Sequence, residues 1–174
     1  MGEEKLKKVM EKAYKLGFEY EKTYGSCAQS TIAAIQNSLG IRDGGVFKAG
    51  TGLAGGGGLT GIGDCGTYVA GIMVLSQLCG RERSNFEDPD RVMRTKSYNL
   101  VKKLLDEFLG EFVTISCRGI QMKKFGRPYY IRDTEDFNKF EEAGGHNDKC
   151  TDVVGKGAQM AVKIILDEGL AVLT

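Results

Sequence analysis

Histidine is almost missing from this chain of 174 residues, which carries one, His146, and no C-x-x-C pair occurs among its five cysteines. A solitary histidine excludes a bis-histidine haem, and without C-x-x-C-H there is no attached c-type haem. Losing C-x-x-C also removes the usual zinc finger or ribbon, where two ligands on one tight turn cost little chain entropy to bring together. Charge of one sign is lacking as well: 24 Lys and Arg stand against 23 Asp and Glu, a formal net charge of +1. No overall field draws the protein to nucleic acid or to an anionic membrane, and neither is expected as a partner. No run of about 18 apolar residues is present, so an ordinary membrane-spanning helix is not expected. The first residues, MGEEKLKKVMEK, alternate charges and lack the apolar stretch and cleavage site of a secretory signal, which makes the cytoplasm the expected compartment. There structural disulfides are disfavoured, and the cysteine count is odd. Free thiols, a metal or a redox pair survive as options.

What the chain does have is helical spacing. With 41% hydrophobic residues it can bury one sizeable core, and it reads as a single domain, 1–174, without repeats. Leu6, Val9, Met10, Ala13, Leu16, Gly17 and Tyr20 form one stripe, and Ala28, Ile32, Ile35 and Leu39 the next. Ser26 is placed to cap the second helix and Gly40 to end it. Residues 67–78 are apolar nearly all round, as in a central buried helix stopping at Gly80. Pro89 is expected to open a long helix with Val92, Met93, Tyr98, Val101, Leu104, Leu105 and Phe108 inside, closing near Gly110. Arg91, Arg94, Lys96, Lys102 and Lys103 would form its solvated face. Residues 112–115 read as a short strand or an extended approach to Cys117, and 123–133 as an exposed loop. A short acidic helix around 134–142 is ended by Gly144 and Gly145, and a last helix from about Thr151 has Val154, Ala158, Ala161, Ile165 and Leu166 inside. The expected fold class is all-α, a helical bundle.

Four of the five cysteines, Cys27, Cys65, Cys117 and Cys150, fall at or next to a helix start. Unpaired N–H groups and the partial positive charge there favour a thiolate over a thiol. Their separations are tens of residues, so any shared site must be assembled by the fold. Cys79, 14 residues after Cys65 on the same helix, lies roughly 20 Å from it and reads as a buried structural thiol. His146, close before Cys150, is a candidate supplementary ligand or proton acceptor. Asp64, Asp148 and Asp152 are placed either to raise thiol pKa values or to cap helices. The glycine run GTGLAGGGGLTGIGDCG, residues 50–66, contains two literal G-x-G-x-x-G matches. Neither follows a buried strand, and the repeated helices argue against a dinucleotide fold. Because Leu53, Ala54, Leu59 and Ile62 punctuate the glycines, the run is expected to pack against the cysteine region rather than act as a tether.

The blocks YGSCAQSTIAAI, GDCGTYVAGIMVLSQLCG, SCRGI and KCTDVVGKGAQMAVKII resemble, in order and context, the four cysteine blocks of the C_GCAxxG_C_C family of redox-active proteins. The resemblance runs over residues 24–165. It implies a small helical redox protein, similar to the non-haem module of split-Soret cytochromes, where an iron–sulfur centre accompanies such cysteines. By position the family cysteines are Cys27, Cys65, Cys117 and Cys150, and Cys79 receives no role. Thr67 and Ala70 stand where the family prefers Ala and Gly. The reading that results is an electron-transfer protein whose four cysteines bind an iron–sulfur cluster. Backbone amides of the glycine loop, including Gly63 and Gly66, are expected to be directed at the sulfurs. Two alternatives stay open: a metal-free oxidoreductase in which Cys27 and Cys65 cycle between dithiol and disulfide, and a structural zinc or binding protein without turnover. The redox partner protein is not identifiable, and a homodimer is an expectation by analogy.

Overall fold

Helical periodicity in the sequence is realised throughout the computed structural model, which describes residues 2–87 and 92–172. Among these, eight α-helices and no strand are found: α1 (Glu3–Tyr24), α2 (Cys27–Leu39), α3 (Gly44–Ala49), α4 (Gly66–Cys79), α5 (Val92–Phe112), α6 (Cys117–Phe125), α7 (Thr134–Glu142) and α8 (Cys150–Asp167). The chain is all-α, as expected, and among the described residues no helix is long and apolar enough to cross a membrane. Pro89 and Arg91, read as a helix start and part of a charged face, lie outside the described residues.

α8 is the hub, packed against α1, α2, α4 and α5. Its apolar residues Val154, Ala158, Ala161, Ile165 and Leu166 are all buried, as their spacing predicts. It meets α1 at very short range, where a Cβ on Gly17 would lie 3.0 Å from the Val154 carbonyl oxygen and one on Gly155 would lie 2.9 Å from that of Tyr14. Backbones approach this closely only through residues without side chains. α4 is the other interior helix, with none of its residues exposed.

Several local expectations need correction. Ser26 stands at the N-cap of α2 but makes no capping bond; its φ is +62°, and its hydroxyl donates to Gln29 Oε1 at 3.3 Å. Side-chain caps occur instead at Asp43, which accepts from the Val46 N–H in α3, at Ser116, which accepts from the Gly119 N–H in α6, and at Asp133, which accepts from the Asp136 N–H in α7. The buried stripe of α5 is Ser97, Leu100, Leu104, Phe108 and Phe112, whereas Val92, Met93 and Tyr98 are exposed. Reading the stripe through Tyr98 and Val101 rotated that helix by one residue. α5 also runs through Gly110 to Phe112, so no strand occupies 112–115.

Gly110 is an exposed glycine in the last turn of α5, at which an added Cβ would meet nothing within 4 Å. Gly110→Ala is therefore expected to stabilise the fold by about 0.5–1 kcal/mol, measurable by urea denaturation. Finally, α7 ends as expected before Gly144, which has a φ of +94°, but the following glycine starts a π-helical turn, Gly145–Lys149, that runs straight into α8. The last helix thus begins at Cys150 itself.

Candidate four-thiol centre

Cys27 is the first residue of α2, Cys65 the N-cap of α4, and Cys117 and Cys150 the first residues of α6 and α8. The fold brings all four to one chamber of about 200 Å³. Its remaining wall is mostly apolar, with Leu59, Ile120, Ile131, Phe137 and Phe140 among the lining residues, together with Glu21 and His146. All five cysteines are free thiols. Cys65 and Cys117 are 7% and 8% exposed. Cys27 and Cys150 retain more accessible area while lying deep among protein atoms, because they face the chamber. Cys79 is not part of this group: it is buried at the far end of α4, where its thiol donates to the Leu75 carbonyl at 3.1 Å.

Backbone pairing sets two of the sulfurs side by side. Asp64 and Ser116 form an isolated antiparallel bridge, with the Cys65 N–H donating to Ile115 O at 2.7 Å and the Cys117 N–H to Gly63 O at 3.0 Å. Cys65 and Cys117 are therefore diagonal neighbours on one face of that bridge, as in an antiparallel ladder.

The glycine run packs against this pair, as its apolar punctuation predicts. Five successive residues, 55–59, have φ of +59°, +77°, +79°, +55° and +63°. A left-handed turn of that length costs ordinary L-residues about 1–2 kcal/mol each, which explains four consecutive glycines. The turn is closed by Gly58 N–H to Gly52 O at 2.8 Å, Gly61 N–H to Gly55 O at 2.8 Å and Gly63 N–H to Gly56 O at 3.0 Å. Gly63 thus spends its amide within the loop. Gly66 is placed differently: a Cβ there would lie 2.6 Å from Cys27 Sγ. Thr67 fits because α8 carries Gly157, where a Cβ would lie 2.2 Å from Thr67 Cγ2.

Non-glycine residues with positive φ are Ser26, Leu59 and Val113 among the described residues. Each lies in a segment that delivers a cysteine or roofs the chamber. Backbone strain is concentrated at this centre.

The expectation that helix starts make these cysteines thiolates is overturned. Burial raises all four pKa values: Cys27 and Cys150 well above the ordinary thiol range, Cys117 to about 12, and Cys65 upward. Opposing this, the Gly55 N–H donates to Cys27, the Thr67 and Tyr68 N–H groups donate to Cys65, and Gln121 Nε2 donates to Cys117 Sγ at 3.7 Å. Desolvation outweighs these dipoles, so the metal-free centre is a set of neutral thiols.

Periodicity concealed one group of this centre. Glu21, in the last turn of α1, is 2% exposed, and its Oε2 has no hydrogen-bond partner. Its charge acts on Cys27, Cys65 and Cys150. Burial, with a smaller contribution from Glu141, raises its own pKa to about 7. His146 Nε2 lies 3.6 Å from Glu21 Oε1, and its Nδ1 bonds Glu141. The sequence neighbour Asp152 is instead engaged by Tyr14, Lys124 and Lys156. Ile131 and Tyr129, read as exposed loop, face inward: Ile131 lines the chamber, and the Tyr129 N–H donates to the buried Gln121 Oε1 at 2.6 Å.

Fold and site together define a helical protein built around a buried group of four cysteines. The chain belongs to the family described as "Putative redox-active protein (C_GCAxxG_C_C)", which matches residues 25–164. No curated protein and no solved structure gives a significant match.

Proposed function

We propose that Cys27, Cys65, Cys117 and Cys150 hold an iron–sulfur cluster and that the protein is an electron-transfer member of its redox-active family. The observation that carries this reading is the convergence of four free thiols, from four separate helices, on one chamber. Four cysteines are the donor set such clusters take. Among the described residues no three His, Cys, Asp or Glu side chains are gathered closely enough to hold one ion as they stand, so loading any metal requires the four thiols to draw together. When bound, the cluster would supply one-electron chemistry. The chain's part is to desolvate it, and to direct the amides of Gly55, Thr67 and Tyr68 at the sulfurs, which raises the reduction potential. Because the free thiols are protonated, loading releases protons and tightens as pH rises.

The dithiol reading requires two thiols to close into one disulfide, releasing two protons and two electrons to an acceptor. Burial speaks against a protein disulfide as that acceptor, since exchange needs in-line access to the sulfur. Protein purified without oxygen is expected to be brown, with iron and acid-labile sulfide that Cys65→Ser removes. Colourless, iron-free anaerobic protein whose thiol count falls by two on mild oxidation would overturn the cluster in favour of the dithiol.

A further inference from the structure

Two of the four thiols, Cys65 and Cys117, are almost wholly screened from solvent and Cys27 and Cys150 partly so, which makes the wall of the chamber the control on access to them. Most of that wall is core: the ends of α1, α2, α4 and α8. Residues 127–143, which carry α7, are of a different kind. They contribute Ile131, Phe137 and Phe140 to the chamber, and their rings pack mainly on one another and on the adjacent Phe125 and His146. Among the described residues, apart from the hinge turn's own bond from the Gly144 N–H to Glu141 O at 2.9 Å, the hydrogen bonds joining this segment to the rest of the chain come from three places. The Tyr129 N–H donates to Gln121 Oε1, Arg132 Nη1 donates to Gly58 O at 2.9 Å, and Glu141 bonds His146. A glycine with positive φ stands at each end, Gly126 at +79° and Gly144 at +94°.

We propose that residues 127–143 are a lid over the thiol chamber, hinged at Gly126 and Gly144 and latched across the mouth by Arg132 on the carbonyl of Gly58. A segment with few cross-links and its own small aromatic cluster opens at lower free energy than the whole fold. Hinges are the terminal residues that absorb the backbone change. The Arg132 bond joins the lid to the glycine loop, so breaking it separates the two halves of the roof, Ile131 and Leu59. Opening is the route for iron, sulfide or a small reagent to the cysteines. The lid holds whatever the thiols bind, so its test is independent of the cluster.

Cys79 supplies an internal control, being buried 2% exposed outside the chamber. The full chain, reduced and freed of metal by chelation, is alkylated with iodoacetamide, and each cysteine is followed by mass spectrometry. Arg132→Ala is expected to speed modification of Cys27, Cys65, Cys117 and Cys150 by about fivefold, the scale of one lost hydrogen bond, and to leave Cys79 unchanged. Hydrogen exchange of the protein as purified is the second measurement, with faster exchange in 127–143 than in α8 and a further increase in the variant. Overturning results are a uniform rise that includes Cys79, which marks global unfolding, or no change at any cysteine or in the exchange of 127–143.

Discussion

Gly66→Ala is expected to destabilise the protein by about 3 kcal/mol or more and to abolish the thiol centre, while Gly52→Ala in the same loop is nearly neutral. Overpacking a tight interior typically costs 1–3 kcal/mol, and more where backbone must shift. The methyl group at position 66 would meet Cys27 Sγ at 2.6 Å, Leu53 O at 3.1 Å and the Ala28 nitrogen at 3.2 Å. Two of those three atoms are backbone, one in the glycine loop and one in the first turn of α2, so rotating a side chain does not relieve the contact. Turning Cys27 away would also break its hydrogen bond from Gly55. Gly52, by contrast, is exposed with nothing within 4 Å of its Cβ position. Urea denaturation and the iron content of anaerobically prepared protein read both effects. Equal stability for the two variants would show that Cys27 does not depend on the close approach of α4.

The same position illustrates what sequence patterns reveal and what they conceal. Helical spacing located α1, α2 and α8, each of which buries a periodic stripe, whereas α4 was legible from its nearly continuous apolar run and α7 as an acidic segment ended by Gly144. The packing of the glycine run was legible from Leu53 and Ala54, whereas Leu59 lines the chamber while 40% exposed and Ile62, read the same way, is 76% exposed. The run's left-handed turn was not legible, since four glycines permit positive φ without requiring it. In α5 the register failed because Val92, Met93 and Tyr98 are apolar yet exposed, whereas Ser97 is polar yet buried. Periodicity ranks residues by polarity, and burial follows geometry.

The chamber itself was legible only in part. Cysteines at helix starts identified the ligand candidates, but the helix dipole predicted thiolates where desolvation produces neutral thiols. That balance depends on depth, which a sequence does not display. Glu21 was hidden for a related reason. A glutamate in the last turn of a charged helix, amid Glu19 and Lys22, looks like solvated surface. It is interior only because α1 ends beside the first turn of α2 and the π-turn ahead of α8. Gln121 and Ile131 were likewise invisible, as each acts through contacts made after α6 has turned back.

Glu21 is also where stability and pH are linked most strongly. An acid with a folded-state pKa near 7 and an ordinary value of 4.5 binds its proton more tightly in the native state. The fold is thus fully stable with respect to this group below pH 4.5, loses stability as pH rises to 7, and levels off above it. A difference of this size corresponds to about 3 kcal/mol. Glu21→Gln removes the charge and keeps the shape, so the metal-free variant is expected to be more stable than wild type by up to about 3 kcal/mol at pH 7.5. At pH 4.5 the advantage falls to little or nothing. Cysteine ionisation does not intrude, because the thiols remain protonated across that range in both states. Repeating the comparison with His146→Gln separates any favourable pairing of a charged imidazole with Glu21. Urea midpoints at the two pH values decide the matter, and a stability difference independent of pH would refute the assignment. Glu21 is thus a pH-dependent cost that the metal-free fold carries on the wall of the thiol chamber, where its charge acts directly on Cys27, Cys65 and Cys150.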